Sequence, residues 1–510
     1  MNYHYLGRYS AFMKFIARIE NNIAFFAKAV LGILLLWGLS MVLFKIKPFW
    51  HDEWRLIYNL KFKTHQELWG TLEYTQQFPR VYLQLIKWFT ATFHYSYFSL
   101  RVPAFALAVC NVFFCWYLMN RIYKEAMPTR YLLVLMTVSN FTFIEYLVQT
   151  KQYQMEIWMS LVALWQAIQL ILLFEKGMQS TFSYGLICLS FLLAPYFSYT
   201  YPIAVAPLFG LVFLQLTFWK KHRHSSCSSS MLILPLMLSF ISIMIFYFID
   251  VQQLMNDREM QQFWKFRMAT DNTKRFLIIK NLWGWLAKMG SGFVFECVFG
   301  TVGWAAVGWA VHQHLSAFRN VKVTASYQLR VYCIGLVIVS LLLFFAGKLP
   351  LSEPKFNAFT IPAISILIIY FLTRVPLKKS ARVTTIILLL ALGGNIITSI
   401  IHMFTLKEYR QRISILHATD KVIRMAQKEK IPILITPGVA YSDDITIYMP
   451  GMRMITADVI LKTFPAYRPE SNLPVYAIDS IAQASQLLAQ LPHLQKAWIG
   501  DGWHYHLYSK

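Results

Sequence analysis

Long apolar runs separated by short polar breaks set the pattern of this chain. They fall at 29–46, 102–119, 131–147, 156–174, 182–195, 201–218, 231–249, 298–315, 330–346, 357–372 and 383–404. A helix of about 20 apolar residues crosses the hydrocarbon of a bilayer. The pattern therefore predicts an α-helical polytopic membrane protein with about eleven transmembrane helices. The pair at 182–218 is the least regular, because Pro195, Pro202 and Pro207 interrupt it. The first run lacks a small-residue cleavage pattern and is followed by many more, so it reads as a retained span rather than a signal peptide.

Two of the intervening segments are long, 47–101 and 250–297. The first predicts interfacial helices near 53–62 and 79–93, the latter opening on Pro79, a favoured early helical residue. The second carries the amphipathic stretch Gln261-Gln262-Phe263-Trp264-Lys265-Phe266-Arg267. From 406 the texture changes. A helical pattern at 415–430 leads to Ile433-Leu434-Ile435-Thr436, and Val475-Tyr476-Ala477-Ile478 leads through a helical 479–491 to Ala497-Trp498-Ile499-Gly500. This alternation predicts a small C-terminal α/β domain. The chain thus divides into a basic amphipathic segment 1–28, a transmembrane domain 29–405 and a tail domain 406–510.

Composition agrees with the pattern: 57% of residues are hydrophobic and 14% charged, against about 25% charged in soluble domains. The net charge of +24 does not indicate a nucleic-acid partner. The tail holds 12 Lys/Arg and 9 Asp/Glu, net +3, leaving +21 for the membrane part. There the cations cluster in alternate short loops, at Arg121, Lys124 and Arg130, at Lys220, Lys221 and Arg223, at Arg319 and Lys322, and at Arg374, Lys378, Lys379 and Arg382. This is the positive-inside pattern. With eleven spans it puts the N-terminus in the cytoplasm and the tail outside. The six cysteines form no CxxC and none lies in the tail, which predicts neither a disulfide framework nor a cysteine zinc site.

A few charged residues break these rules. Asp52-Glu53 follow the first span inside Pro48-Phe49-Trp50-His51-Asp52-Glu53-Trp54, and acids beside a bilayer are costly enough to suggest function. Capping the following helix is the structural alternative for Asp52. Lys151, Lys348 and Lys355 lie on the outward side, where the charge bias offers a cation nothing, so a lipid phosphate is a natural partner; an ordinary headgroup contact or a snorkelling side chain is the structural alternative. Glu156 stands five residues beyond Lys151, off the i,i+4 spacing of a helical ion pair, and suits a cavity instead. His51-Asp52-Glu53 has metal-ligand chemistry, but consecutive helical residues diverge, and a divalent metal is possible without being favoured.

The order of these features resembles a known family. Asp52-Glu53 come in a long outer loop, then Tyr74-Thr75-Gln76-Gln77-Phe78-Pro79 before Tyr82-Leu83, then Leu100-Arg101-Val102-Pro103. Lys151-Gln152-Tyr153 with Glu156 follow, and Lys355-Phe356-Asn357 precedes Ile361-Pro362-Ala363. Over about residues 29–375 this resembles the GT-C superfamily of polytopic glycosyltransferases, on the bacterial branch near protein O-mannosyltransferases and the lipid A aminoarabinose transferase. The resemblance implies transfer of a sugar from a polyprenyl-phosphate donor to a hydroxyl acceptor (lipid, glycan or protein) on the outer face of a bacterial inner membrane. It implies Asp52 as general base with Glu53 beside it, and Lys151, Arg80, Arg101, Lys355 and Tyr153 about the donor phosphate. His51, Gln77, Tyr82 and Glu156 would line the substrate pocket. No resident cofactor is implied. The alternatives are a flippase or transporter of a lipid-linked glycan, which suits basic residues in interrupted spans, and a membrane scaffold.

Overall fold

The computed structural model describes residues 24–44, 49, 51–72, 76–122, 127–178, 180–219, 228–252, 275–317, 324–351, 357–374 and 381–405, with 433–435, 454–456, 475–478, 495–499 and 505–509 in the tail. Most of the basic segment 1–28, the stretch 261–267, Lys355 and the tail helices at 415–430 and 479–491 lie outside the described residues.

The described helices are α1 (Ala24–Leu43), α2 (His51–Phe62), α3 (Arg80–Thr92), α4 (Tyr97–Ile122), α5 (Met127–Val138), α6 (Phe141–Glu145), α7 (Tyr153–Lys176), α8 (Thr181–Leu193), α9 (Tyr201–Leu214), α10 (Ser229–Phe246), α11 (Arg275–Ala287), α12 (Gly292–Ala317), α13 (Ala325–Phe345), α14 (Ile361–Arg374) and α15 (Ala381–Thr405). The tail contributes strands β1 (Ile433–Ile435), β2 (Met454–Thr456), β3 (Val475–Ile478), β4 (Gln495–Ile499) and β5 (Tyr505–Ser509), in the order β2-β1-β3-β5-β4.

The expected class needs correction. Among the described residues seven helices, not about eleven, are long and apolar enough to cross a membrane: α1, α4, α7, α9 and α10 with their π-turn extensions, α12 and α13. The chain is a multi-pass membrane protein on this ground. The other four apolar runs hold apolar helical stretches of 10–17 residues, Thr129–Val138, Thr181–Phe197, Ala358–Leu372 and, within α15, Leu390–Thr405, and local chemistry shortens two of them. The run at 131–147 breaks at Ser139-Asn140, where extended Asn140 accepts the Thr142 N–H on its side chain and starts a new helix. Pro195 turns the end of α8 into a 3-10 segment, Ala194–Phe197. The α/β domain is likewise not found, since the described residues beyond 405 are short strands without a helix.

The chain forms two compact units. One comprises Met1–Leu39, His65–Leu85 and Val102–His402; the other comprises Ser40–Thr64, Ile86–Arg101 and Met403–Lys510. In the first, α7 is the central post, packed by α9, α13 and α14. Within its apolar window 72% is buried, against 33–50% for the other six spans. So enclosed a helix must satisfy its polar side chains internally. Asn111 donates to the Gln154 side chain at 3.0 Å, and Gln154 donates to Phe143 O at 3.0 Å. Lower down, Tyr201 donates to Gln166 at 2.8 Å, and Gln166 donates to Ser190 at 3.0 Å. In the second unit, Lys87 on α3 donates to Leu60 O on α2 at 2.7 Å. The chain then turns through His94 and Tyr95, both at positive φ, into α4.

A second polar knot holds the helix breaks of the first unit together. Asn395 of α15 accepts the Ser291 N–H at 2.8 Å and donates to Ser139 O at 2.8 Å and to Met289 O at 3.3 Å. Phe141 N–H also donates to Met289 O, at 3.1 Å. One buried amide therefore serves the ends of both α5 and α11. Asn395→Leu is expected to cost about 2–4 kcal/mol, since it strands buried backbone groups. Thermal unfolding in detergent should show the loss, and an unchanged midpoint would mean that the knot is dispensable.

Candidate functional site

Polar and charged side chains buried in an apolar protein are expensive unless paired, and this chain gathers them in two places. In the second unit, Glu53 stands in the first turn of α2 and Arg101 in the second turn of α4, both fully buried. Arg101 Nη1 donates to Glu53 Oε1. The guanidinium lies 4.1 Å from the Phe49 ring centre and 5.3 Å from that of Tyr97. Tyr97 in turn donates to Met41 O at 3.3 Å. The ion pair is thus boxed by aromatic faces that stabilise the cation. It pins the first helical turn, which is also the turn carrying His51 and Asp52. The side chains of His51 and Asp52 lie outside the described residues.

In the first unit the chain from Gln76 to Pro79 runs without regular structure into α3, and side chains from distant segments hold it. Lys151, buried just before α7, donates to the Gln76 side chain at 2.5 Å. The Gln152 amide donates to Gln77 O at 3.3 Å. The Tyr199 hydroxyl hydrogen is shared between Phe78 O at 3.0 Å and Asp250 Oδ1 at 2.8 Å. Asp250 Oδ2 accepts the Arg80 N–H at 3.0 Å, and Arg80 Nε lies 3.5 Å from Oδ1. The Arg80 side chain is only 1% exposed, and none of Nε, Nη1 and Nη2 finds a hydrogen-bond partner among the described residues, Nε meeting Asp250 by charge alone. Burial, with Asp250 next, raises the Tyr199 phenol well above its ordinary range, so it stays a donor. Asp250 sits in a π-turn, Tyr247–Val251, that ends the apolar helix. Such turns frequently mark functional positions.

Close by, Glu156 in the first turn of α7 is buried and accepts from the Ser198 and Thr200 hydroxyls. It also takes the Thr200 N–H at 3.3 Å. Tyr82 stacks on Phe78, with ring centres 5.2 Å apart and an interplanar angle of 18°. Its buried hydroxyl has no hydrogen-bond partner among the described residues. Burial, then the Glu156 charge, pushes the Tyr82 phenol far above its usual range, so it too remains protonated. Tyr153 packs its ring 4.2 Å from that of Tyr146. Lys348, by contrast, is exposed.

Of the residues singled out in the sequence, the first unit brings Lys151, Gln77 and Arg80 onto one segment. Glu53 and Arg101 meet in the second unit. Asp250 and Tyr199 escaped notice. For Asp250 a signal existed, an acid closing the apolar run at Ile249-Asp250-Val251, by the reasoning already applied to Asp52. Tyr199 offered none. Among the described residues no three His, Cys, Asp or Glu side chains are grouped to hold a metal.

No protein-family model matches the sequence, and no curated protein matches it. Solved structures do. The crystal structure of ArnT from Cupriavidus metallidurans bound to undecaprenyl phosphate superposes with a TM-score of 0.52 at 11% identity, covering 96% of this chain and 98% of that one. The apo structure of the same protein gives 0.53 at 12% identity with the same coverage. The likeness shows the fold, shared over almost the whole length of both chains.

The boxed ion pair makes a direct prediction. Glu53→Leu or Arg101→Met, each leaving one charge buried without its partner, is expected to cost about 3–5 kcal/mol. The double variant Glu53→Leu/Arg101→Met should cost less than the two single losses added together. Denaturant unfolding in detergent, followed by tryptophan fluorescence, measures this, and strict additivity would mean the charges are not coupled.

Proposed function

We propose that this protein is an inverting membrane glycosyltransferase. It moves a sugar from a polyprenyl-phosphate donor to a hydroxyl acceptor of the cell envelope, on the outer face of the inner membrane. The observation that carries this reading is the likeness, over 96% of the chain, to a protein whose structure holds undecaprenyl phosphate. Fold alone does not assign chemistry, so the residues must supply the roles.

Asp52 is the general base. It takes the proton of the acceptor hydroxyl as that oxygen forms its bond to the anomeric carbon, a role open to a carboxylate within hydrogen-bond reach. The bond from the anomeric carbon to the phosphate oxygen breaks on the opposite side, which inverts the centre. Polyprenyl phosphate leaves with the electron pair. The charge growing on that phosphate calls for fixed cations in a water-poor setting. Lys151 and Arg80, buried and held by neighbours, are suited to supply them. Lys355 and Tyr153 are further phosphate contacts, while Gln77, Tyr82, Glu156 and His51 contribute to substrate binding. Glu53, engaged by Arg101, acts by fixing the turn that bears Asp52. The alternating clusters of Lys and Arg support a cytoplasmic N-terminus.

The test is consumption of a panel of radiolabelled polyprenyl-phosphate sugars by the purified protein. Wild type should consume one of them, and Asp52→Asn should slow turnover about a hundred- to ten-thousand-fold while still binding the donor. Lys151→Gln should weaken donor binding as well as turnover. If Asp52→Asn turns over like wild type, Asp52 is not the base. If wild type binds these lipids and consumes none, the transferase reading falls.

A further inference from the structure

We infer that Asp250 and Tyr199 are positioning residues that clamp Arg80 by the root of its side chain and reserve its two terminal nitrogens for one phosphate oxyanion. The ligand's identity rests on the glycosyltransferase reading; the clamp itself rests on geometry.

The pairing of Arg80 with Asp250 is unusual in what it leaves out. Arginine and a carboxylate normally meet end to end, with two parallel N–H···O bonds from the guanidinium fork. Here the carboxylate engages the arginine at its base. One oxygen takes the Arg80 main-chain N–H at 3.0 Å, and the other lies 3.5 Å from Nε. Tyr199 donates to that second oxygen at 2.8 Å. Asp250 is thereby oriented from one side by a phenol and from the other by a backbone amide. Nη1 and Nη2 are left over, inside a side chain that is 1% exposed, without a hydrogen-bond partner among the described residues. Buried donors on a charged group are rarely left idle, because the desolvation loss is then uncompensated.

A guanidinium whose charge is already balanced by Asp250, and whose terminal donors meet no acceptor among the described residues, is prepared for an oxygen-rich anion. The planar fork matches two oxygens of a phosphate. The charge contact at Nε and the hydrogen bond at the main chain orient the fork before the ligand arrives, which reduces the ordering cost of binding. The π-turn serves this arrangement, since it delivers Asp250 from the end of an apolar helix to the start of α3. A purely structural ion pair would have no use for a fork whose donors meet no acceptor among the described residues.

The experiment is a binding titration of purified protein in detergent, read by tryptophan fluorescence. Farnesyl phosphate is the probe, farnesol the neutral control and inorganic phosphate the free-anion arm. Arg80→Lys, which keeps the charge and loses the fork, should weaken farnesyl phosphate binding about tenfold or more and leave farnesol binding unchanged. Asp250→Asn should do the same. Tyr199→Phe, which preserves the ring packing against Phe246, should give a smaller loss of the same kind, and it keeps the test open if Asp250→Asn fails to fold. In the Arg80→Gln background, Asp250→Asn and Tyr199→Phe should cause no further loss, as expected for residues acting through Arg80. Inorganic phosphate competing as well as farnesyl phosphate would identify a free-anion site, overturning the assignment to the lipid donor.

The inference is overturned if the variants lower thermal stability yet bind farnesyl phosphate like wild type, or if their losses add to that of Arg80→Gln. Arg80-dependent phosphate binding without any sugar turnover would sink the transferase reading and leave the clamp standing. Turnover with phosphate binding indifferent to Arg80 would do the reverse.

Discussion

Every peptide group that enters an apolar interior without secondary structure must find its hydrogen bonds elsewhere, and the segment Gln76–Arg80 meets that constraint with borrowed side chains. Gln152 supplies the donor for Gln77 O, Tyr199 for Phe78 O and Asp250 the acceptor for the Arg80 N–H. Pro79 has no N–H to satisfy, and its carbonyl takes the Leu83 N–H as α3 begins. These partners come from the start of α7, the turn before α9 and the end of α10. Three parts of the first unit are therefore committed to one irregular stretch, and the cations Lys151 and Arg80 are held as a consequence.

The same economy governs the charges. Arg101 and Arg80 are both buried, yet they are handled differently. Arg101 is enclosed by its carboxylate and two aromatic faces, which suits a residue that fixes a helix start. Arg80 is held by its stem, and its tip meets no hydrogen-bond partner among the described residues, which suits recognition. Burial strengthens both through the low local dielectric and shields them from salt. For a reaction that expels a phosphate, cations fixed beforehand in such surroundings give more than mobile surface lysines would.

Much of this was legible in the sequence, for reasons that differ by element. Each of the seven long helices lies on an apolar run, because lipid demands an unbroken stretch and the demand is written in composition. In two of the four extra runs a local feature, Asn140 or Pro195, ends a helix that hydropathy alone would continue. Glu53 stands out as an acid beside lipid and Lys151 as a cation on the outward side, while Arg80 and Arg101 are marked by the resemblance. Their pairings are not. Which acid meets Arg80 depends on a contact spanning 170 positions, and no local rule reports it. Tyr199 was invisible for a related reason: one tyrosine among 28 carries no mark of its role until its hydroxyl is located.

The irregular segment also bears on how such a protein can change over time. Gln77 and Phe78 are gripped by their carbonyl oxygens, and a carbonyl is the same whatever side chain stands beside it. A tie of that kind preserves the path of the chain while leaving the letters at the gripped positions open to drift. Architecture can then outlast recognisable kinship. A chain that superposes along almost its whole length on a protein only 11–12% identical to it, and that matches no family model, is an outcome this manner of construction permits.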